Sequence, residues 1–174
     1  MGVREMDKKL DDKLVQDHPI IFKDRNKSMQ ETAMCWGFPG NGWYKLIDEL
    51  CTGIEKIMNK HNLDVTAVQV KEKFGGLRFY VYVGNQKQSV PVKIEDLLIT
   101  FIYKHQWNLL RPVFWKMVHF RQKLYKTPFE KIYVLIDKAE AKSYTICEQC
   151  GKPGKTTGGG WLVTLCNECG KEKK

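Results

Sequence analysis

Four of the six cysteines in this chain lie near its carboxyl end as two CxxC pairs. Cys147 and Cys150 form the first pair, and Cys166 and Cys169 form the second. Zn²⁺ prefers four sulfur or nitrogen ligands in a tetrahedron, and each CxxC turn supplies two thiolates to one side of such a site. The spacing therefore predicts a Zn²⁺ site with four thiolate ligands, with iron in the same ligand set or a redox dithiol as the alternatives.

The segment around these cysteines has the pattern of a zinc ribbon or zinc knuckle. Gly151 and Gly170 follow the second cysteine of each pair, where a residue without a side chain lets backbone amides turn toward the thiolates. Residues 154–160 predict a flexible tip, and residues 161–165 predict a strand that returns to the second pair. Because four thiolates leave no open position for catalysis, we expect a metal that stabilises the fold. A ribbon that itself contacts nucleic acid is the alternative.

The chain is strongly basic, with a formal net charge of +9. Four thiolates and one Zn²⁺ would contribute −2 and leave about +7. This balance indicates an anionic partner, which includes nucleic acid, a nucleotide, an acidic protein or a membrane surface. Residues 104–131 carry seven lysines and arginines and only one acid, Glu130, so we expect the anion-binding surface in the body of the protein.

A length of 174 residues with 43% apolar content suits one domain with its own core. The sequence contains neither an apolar run of about eighteen residues nor a signal peptide. We expect a soluble cytoplasmic protein without a membrane segment, in which clustered cysteines hold metal more often than they form disulfides. Cys35 and Cys51 stand alone beside apolar residues and predict small buried side chains.

The order of the predicted elements is typical of an α+β fold, a small antiparallel sheet packed with helices plus a C-terminal zinc ribbon. Residues 1–40 predict an N-terminal arm that is extended or loosely helical. Residues 41–142 predict the α+β body, which contains a helix, a β-hairpin and further helices. Residues 143–174 predict the zinc ribbon.

The helices follow from apolar periodicity. The first runs from Trp43 to the residues after Met58, with Asn41 as its N-cap. Residues 91–126 predict a second helical region. The last helix begins with Thr127 as its cap and Pro128 in the first helical position.

Residues 65–83 predict a β-hairpin that turns at Gly75 and Gly76. In this register Lys73 lies opposite Arg78, and like charges in that position destabilise a hairpin by up to about 1 kcal/mol. A bound anion between these two side chains would remove the repulsion. The alternative to a bound anion is that a carboxylate of the chain itself pairs with one of the basic residues of this face. One face of the hairpin is apolar, and it includes Val68 and Phe74. The other face combines charge with stacking surfaces, as in sheets that bind single strands or nucleotides. Its predicted ligand-binding residues are Lys71, Lys73, Arg78, Tyr80 and Tyr82.

A second candidate surface lies on the helical region after residue 91. It combines tryptophans with basic residues, a combination that suits base stacking or contact with another chain. The alternative is that the aliphatic parts of neighbouring lysine side chains cover the tryptophan at the protein surface. The predicted interface residues are Trp107, Trp115, Lys116, His119 and Lys123.

The side chains that could do catalysis do not converge. The four histidines fall in unrelated segments, and the sequence contains no HExxH, phosphate-loop or nucleophile-elbow motif. We therefore predict no catalytic residues and expect a binding protein rather than an enzyme.

Four segments, GNGWYKLIDEL, VQVKEKFGGLRFYV, AEAKSYTICEQCGKPG and GWLVTLCNEC, together resemble a family of small bacteriophage and prophage proteins without an assigned activity. The resemblance covers residues 41–83 and 139–169, and residues 92–130 look like an insertion. It implies a phage origin and a metal-binding end, but no mechanism.

These observations predict a non-enzymatic phage accessory protein, in the cytoplasm of the host cell, that binds nucleic acid or a nucleotide. One alternative is an inhibitor of a bacterial anti-phage defence system, which acts by contact with a host defence protein or by sequestering a signalling nucleotide. A second alternative is a structural component of the phage particle. A homo-oligomer is compatible with each function.

Overall fold

The structure is a computed structural model that describes residues 5–84, 127–158 and 161–171. These residues form an α+β fold, as predicted. The helices are α1 (Lys8–Asp17), α2 (Tyr44–His61), α3 (Pro128–Ser143) and α4 (Asn167–Lys171), with 3₁₀ turns at Ala33–Trp36 and Asn41–Trp43. The strands are β1 (Asp64–Lys73), β2 (Gly76–Gly84), β3 (Lys155–Thr157) and β4 (Val163–Leu165). β1 pairs with β2 and β3 with β4, both antiparallel.

The chain divides into two compact units, of which the first comprises residues 1–85 and 132–174. The second comprises residues 86–131, and only residues 127–131 of it are described. The predicted helical region at 91–126 therefore lies outside the described residues. No helix in the described ranges is both long enough and apolar enough to cross a membrane.

The core is built around α2. Its apolar side chains recur with the period of a helix and form one buried face, which consists of Leu46, Ile47, Leu50, Cys51, Ile54 and Met58. The hairpin adds Val70, Leu77 and Phe79 to the same cluster, and α3 adds Ile132 and Ile136. Asn62 ends α2 in the left-handed conformation, with φ of 51°. Both the helix and its end were predicted from the sequence.

The N-terminal segment belongs to this core and is not the loose arm that we predicted. Its fully buried side chains are Leu14, Ile21, Phe22, Met34 and Phe38. The ring of Phe22 meets that of Phe38 edge-on, with centroids 4.9 Å apart. The amide of Ala67 in β1 donates to the carbonyl of Ile21 at 2.8 Å. Residue 40 is therefore not a domain boundary, because buried side chains before and after it belong to one hydrophobic core.

Asn41 serves a different helix from the one predicted. α2 has no side-chain cap and continues directly from the 3₁₀ turn before it. Instead, Asn41 Oδ1 accepts from the amide of Asp7 at 2.7 Å, and Asn41 Nδ2 donates to Asp7 Oδ2 at 2.7 Å. Asn41 thus ties the start of α1 to the start of α2.

The hairpin turns at Phe74 and Gly75, one residue earlier than predicted. Lys73 pairs with Gly76, and Lys71 rather than Lys73 lies opposite Arg78. The predicted register is therefore wrong by two residues from Gln69 to Lys73 and by three residues before Val68. A shift of two residues leaves each side chain on its original face.

Val68 and Phe74 were placed on the apolar face, and both are exposed. Val68 lies in a β-bulge between Ala67 and Gln69, where the extra residue interrupts the alternation of side chains. Phe74 lies in the turn itself. The prediction for these two residues is wrong because neither occupies a regular strand position.

α3 begins as predicted, with Thr127 as its cap, and the structure adds the reciprocal bond of a capping box. Thr127 Oγ1 accepts from the amide of Glu130 at 3.2 Å, and the Glu130 carboxylate accepts from the amide of Thr127 at 2.8 Å. Near the end of α3, Ser143 Oγ accepts from the amide of Leu77 at 2.8 Å, and Glu140 Oε1 accepts from the amide of Phe79 at 3.0 Å. α3 therefore satisfies amides at the edge of β2 that faces away from β1.

We predict that Leu14→Ala lowers the free energy of unfolding by about 2–5 kcal/mol, because it leaves a cavity in a fully buried position. Ile47→Ala in α2 is the matched control, since Ile47 is also fully buried. Urea unfolding of both variants measures the effect. If Leu14→Ala costs less than about 1 kcal/mol while Ile47→Ala shows the full loss, the N-terminal segment does not belong to the core.

Candidate metal centre

The four cysteine sulfurs of the two CxxC pairs lie within 4.8 Å of one another. Cys150 Sγ and Cys166 Sγ are 3.6 Å apart. A tetrahedron with Zn–S bonds of about 2.3 Å separates its sulfurs by about 3.8 Å, whereas a disulfide requires about 2.05 Å. All four thiols are free of disulfides. The arrangement therefore fits a tetrahedral metal ion and does not fit a disulfide.

Each of the two CxxC turns contains the same type of backbone hydrogen bond. The amide of Gly151 donates to the carbonyl of Cys147 at 2.9 Å, and the amide of Gly170 donates to that of Cys166 at 2.9 Å. The glycine amides thus close each turn. We predicted that the glycines let other backbone amides turn toward the thiolates, and such amides include that of Cys169, 3.5 Å from Cys166 Sγ, and the backbone of Lys152, which hydrogen-bonds to Cys150.

The local electrostatics favour a cation among the sulfurs. A hydrogen bond from the backbone of Cys169 lowers the pKa of Cys166 to about 7. Burial raises the pKa of Cys150 and of Cys169, and hydrogen bonds with the sulfurs of Cys147 and Cys166 raise both further. Lys152, which lies near these thiols, forms an ion pair with Glu168. Four thiolates therefore require a bound metal to compensate their charge.

The first CxxC turn packs directly against the 3₁₀ turn before α2. The amide of Gly42 donates to the carbonyl of Glu148 at 3.0 Å, and Trp43 Nε1 donates to the carbonyl of Ile146 at 3.0 Å. A Cβ on Gly42 would lie 1.9 Å from the carbonyl oxygen of Cys147. Only glycine fits this position, which explains its place in the GNGW segment.

The small β3–β4 sheet packs against the turn of the β1–β2 hairpin. Thr164 Oγ1 donates to the carbonyl of Gly75 at 2.6 Å and lies 2.7 Å from Thr156 Oγ1. A Cβ on Gly75 would lie 2.8 Å from Thr156 Cγ2, and one on Gly76 would lie 2.4 Å from the ring of Tyr144. Both glycines of the KFGG segment thus permit residues 143–171, which we call the metal-binding end, to pack closely against the hairpin turn.

Arg78 lies opposite Lys71, on the same face as the other predicted ligand-binding residues, but groups at the end of α3 and just after it hold its guanidinium. Its guanidinium donates to the hydroxyl of Tyr144 at 2.8 Å and lies 3.6 Å from the carboxylate of Glu140. We predicted an anion between Lys73 and Arg78 on the premise that they are opposed like charges. That premise is wrong, because Lys73 lies opposite Gly76 and Glu140 already balances Arg78.

The remaining four predicted residues share the outer face of the hairpin, defined here by Lys71, Lys73, Tyr80 and Tyr82. The tyrosines are exposed, Tyr80 by 42% and Tyr82 by 64%. Lys71 Nζ lies 5.5 Å from the centre of the Tyr80 ring. Within the described ranges neither lysine forms an ion pair with a carboxylate. This face therefore offers two cations and two aromatic rings to a ligand.

Other candidate residues fall elsewhere. Cys51 is fully buried, and burial raises its pKa. Cys35 is half-buried, and its thiol donates to the carbonyl of Thr32 at 3.3 Å. The predicted interface lies outside the described residues, and it comprises Trp107, Trp115, Lys116, His119 and Lys123.

Sequence reasoning missed a buried polar link between the N-terminal segment and α2. The ring nitrogens of His18 lie 3.1 Å from Asp48 Oδ1 and 3.0 Å from Glu55 Oε1. The two acids are seven residues apart on α2, a spacing that places them on one helical face. This spacing was the signal in the sequence that could have indicated the site. His18 was missed because we predicted that the N-terminal segment is a loose arm, which has no fixed contact with α2.

No family model, curated protein or solved structure matches this chain. The metal centre therefore rests on its geometry and donor set. The resemblance to phage proteins stays a prediction.

We predict one Zn²⁺ ion per chain, measured by elemental analysis and native mass spectrometry. Chelation should speed amide hydrogen exchange at Gly42 and in β4, because these amides are held at the metal-binding end, whereas the core of α2 keeps its protection. Metal-free protein with unchanged exchange at Gly42 would contradict the site.

We predict that Gly42→Ala lowers the free energy of unfolding by about 1–3 kcal/mol and speeds loss of metal to a chelator, because the new methyl group overpacks the first CxxC turn. Gly170→Ala is the matched control, since nothing lies within 4 Å of its Cβ position. Chemical unfolding and a colorimetric zinc-release assay measure both variants. Equal behaviour of the two variants would contradict the close contact at Gly42.

Proposed function

We propose that this protein is a zinc-stabilised, non-enzymatic nucleic-acid-binding protein, and that it binds through the outer face of the hairpin. The observation that carries the proposal is that Lys71, Lys73, Tyr80 and Tyr82 share one exposed face while no described carboxylate pairs with either lysine. Phosphates interact with unpaired lysines, and bases stack on exposed tyrosine rings.

The charge of the whole chain supports an anionic ligand. Its net charge of +9 stays near +7 when one Zn²⁺ and four thiolates are counted. A positive field of this kind attracts polyanions and raises their rate of association.

The role of the metal in this proposal is to hold the hairpin in place. Four sulfur ligands favour Zn²⁺ among the metals common in proteins, and they leave no open position for a reacting group. The β3–β4 sheet contacts Gly75 at the hairpin turn, and Arg78 anchors β2 to Glu140 of α3 and to Tyr144 just after it. The outer face is therefore supported at its turn and along one edge. The resemblance to phage proteins supports a role as a phage accessory factor.

We predict that Lys71→Ala/Lys73→Ala weakens binding to a fluorescent 12-nucleotide single strand. Because two phosphate contacts are lost, the slope of log K against log salt should fall in magnitude by about 1.4. Tyr80→Ala and Tyr82→Ala should each cost about 1–3 kcal/mol of binding free energy. Fluorescence anisotropy across a salt series measures these effects.

Lys56→Ala/Lys60→Ala is the matched control, since it removes the same charge from exposed positions on α2. We expect a small change in affinity and the salt slope of the unsubstituted protein. Equal losses in the two double variants would show that only net charge matters. The proposed face would then be wrong.

A further inference from the structure

Two large aromatic side chains are exposed at the end of the molecule where the hairpin turn meets the β3–β4 sheet. Phe74 is 64% exposed and Trp161 is 63% exposed. Gly75, the neighbour of Phe74, lies against Thr156 and Thr164. Trp161 precedes β4 by two residues. Both rings are thus carried by elements that meet at this contact, and we call Phe74 and Trp161 together the aromatic end.

The backbone of Phe74 is unusual for an aromatic residue. Its φ of +56° lies in the left-handed region, which bulky side chains rarely adopt. With Gly75 at φ of +75°, the pair has the positive φ angles of a type I′ turn, whose first position favours asparagine, aspartate or glycine. The ring gains little burial in return. A strained, exposed aromatic residue of this kind points to a role in binding rather than in folding.

The aromatic end continues the proposed nucleic-acid surface. Lys73 Nζ lies 5.2 Å from the centre of the Phe74 ring, and Lys73 also belongs to the outer face of the hairpin. The carboxylate of Glu72 at this turn accepts from the amide of Gly75. Cationic and aromatic groups thus run from Tyr82 along β2 to the hairpin turn and on to the metal-binding end.

Resting on the proposed function, we infer that the ligand is single-stranded nucleic acid whose bases stack on Tyr82, Tyr80, Phe74 and Trp161. Tyr80 and Tyr82 are two residues apart on one strand face, which is about 7 Å. Bases within a duplex strand are separated by about 3.4 Å. Consecutive bases must unstack to cover both rings, and a paired duplex does not permit this.

The length of the surface sets the length of the ligand. From Tyr82 to Gly76 is six residues of β2, or about 20 Å. That distance accommodates about three steps of 7 Å, so about four nucleotides cover the hairpin. A longer strand is required to reach Trp161 at the metal-binding end.

The test compares a 4-nucleotide and a 12-nucleotide oligothymidine with a 12-base-pair duplex, each by fluorescence anisotropy. Trp161→Ala should weaken the 12-mer by about fivefold or more and leave the 4-mer unchanged. Trp36→Ala is the matched control, since Trp36 is equally exposed but lies in the N-terminal segment. It should change neither affinity. The 12-mer should also quench fluorescence in the unsubstituted protein by an amount that Trp161→Phe removes.

Phe74→Asn gives a second, independent readout. Asparagine is favoured in this turn, so the variant should unfold at an equal or higher urea concentration and yet bind the 12-mer about fivefold more weakly. A variant that is destabilised and keeps full affinity would show that Phe74 serves folding alone, and this would overturn its assignment to the ligand.

These experiments distinguish a failure of the inference from a failure of the proposed function. If the tyrosine variants lose affinity but Trp161→Ala binds the 12-mer normally, the aromatic end is not part of the site, whereas the proposed function stands. If the duplex binds as tightly as the 12-mer, the assignment to single strands is wrong. If none of the three probes binds at low salt, both the inference and the proposed function are overturned.

Discussion

Gly42 and the first CxxC turn approach so closely that no side chain fits between their backbones. This contact joins three parts of the fold. Asn41 ties the 3₁₀ turn that contains Gly42 to the start of α1. Trp43 of the same 3₁₀ turn donates to the carbonyl of Ile146, just before Cys147. A metal that orders the CxxC turn would therefore also order the region where α1 and α2 begin. Its binding free energy would then contribute to the stability of the body as well as of the ribbon.

The sequence revealed those features that depend on neighbouring residues. α2 and the position of its end, the Thr127 cap of α3 and the cysteine set all follow from periodicity or spacing within a short segment. The hairpin register did not, because Gly-Gly is locally the better turn, whereas the structure places Phe74 and Gly75 there. Gly76 instead pairs with Lys73 in the strand and packs against Tyr144, a contact with a distant part of the chain. The burial of the N-terminal segment was likewise decided by partners that no local pattern reveals.

The candidate binding surface shows the same division between local and distant information. Alternation along β1 and β2 was sufficient to place the lysines and tyrosines on one face, and a two-residue error in register left that face intact. The pairing of Arg78 with Glu140 depends on how α3 packs against β2. Sequence patterns therefore identified which cations share a face, whereas the structure was required to show that Arg78 is already balanced and that Lys71 and Lys73 are not.

Segments of fewer than about 40 residues rarely bury enough apolar surface to fold alone, so the metal-binding end depends on its packing against Gly42, Trp43 and the hairpin turn and would gain further order from an ion held by its four cysteines. Its exposed Trp161 and the exposed Phe74 of the hairpin lie on separate elements, and the Thr164 hydroxyl joins these elements through the carbonyl of Gly75. A surface divided between the two elements takes its shape only when the β3–β4 sheet is ordered. A metal held by the four thiolates would therefore support the proposed surface without an open coordination position, because it would order the element that carries Trp161.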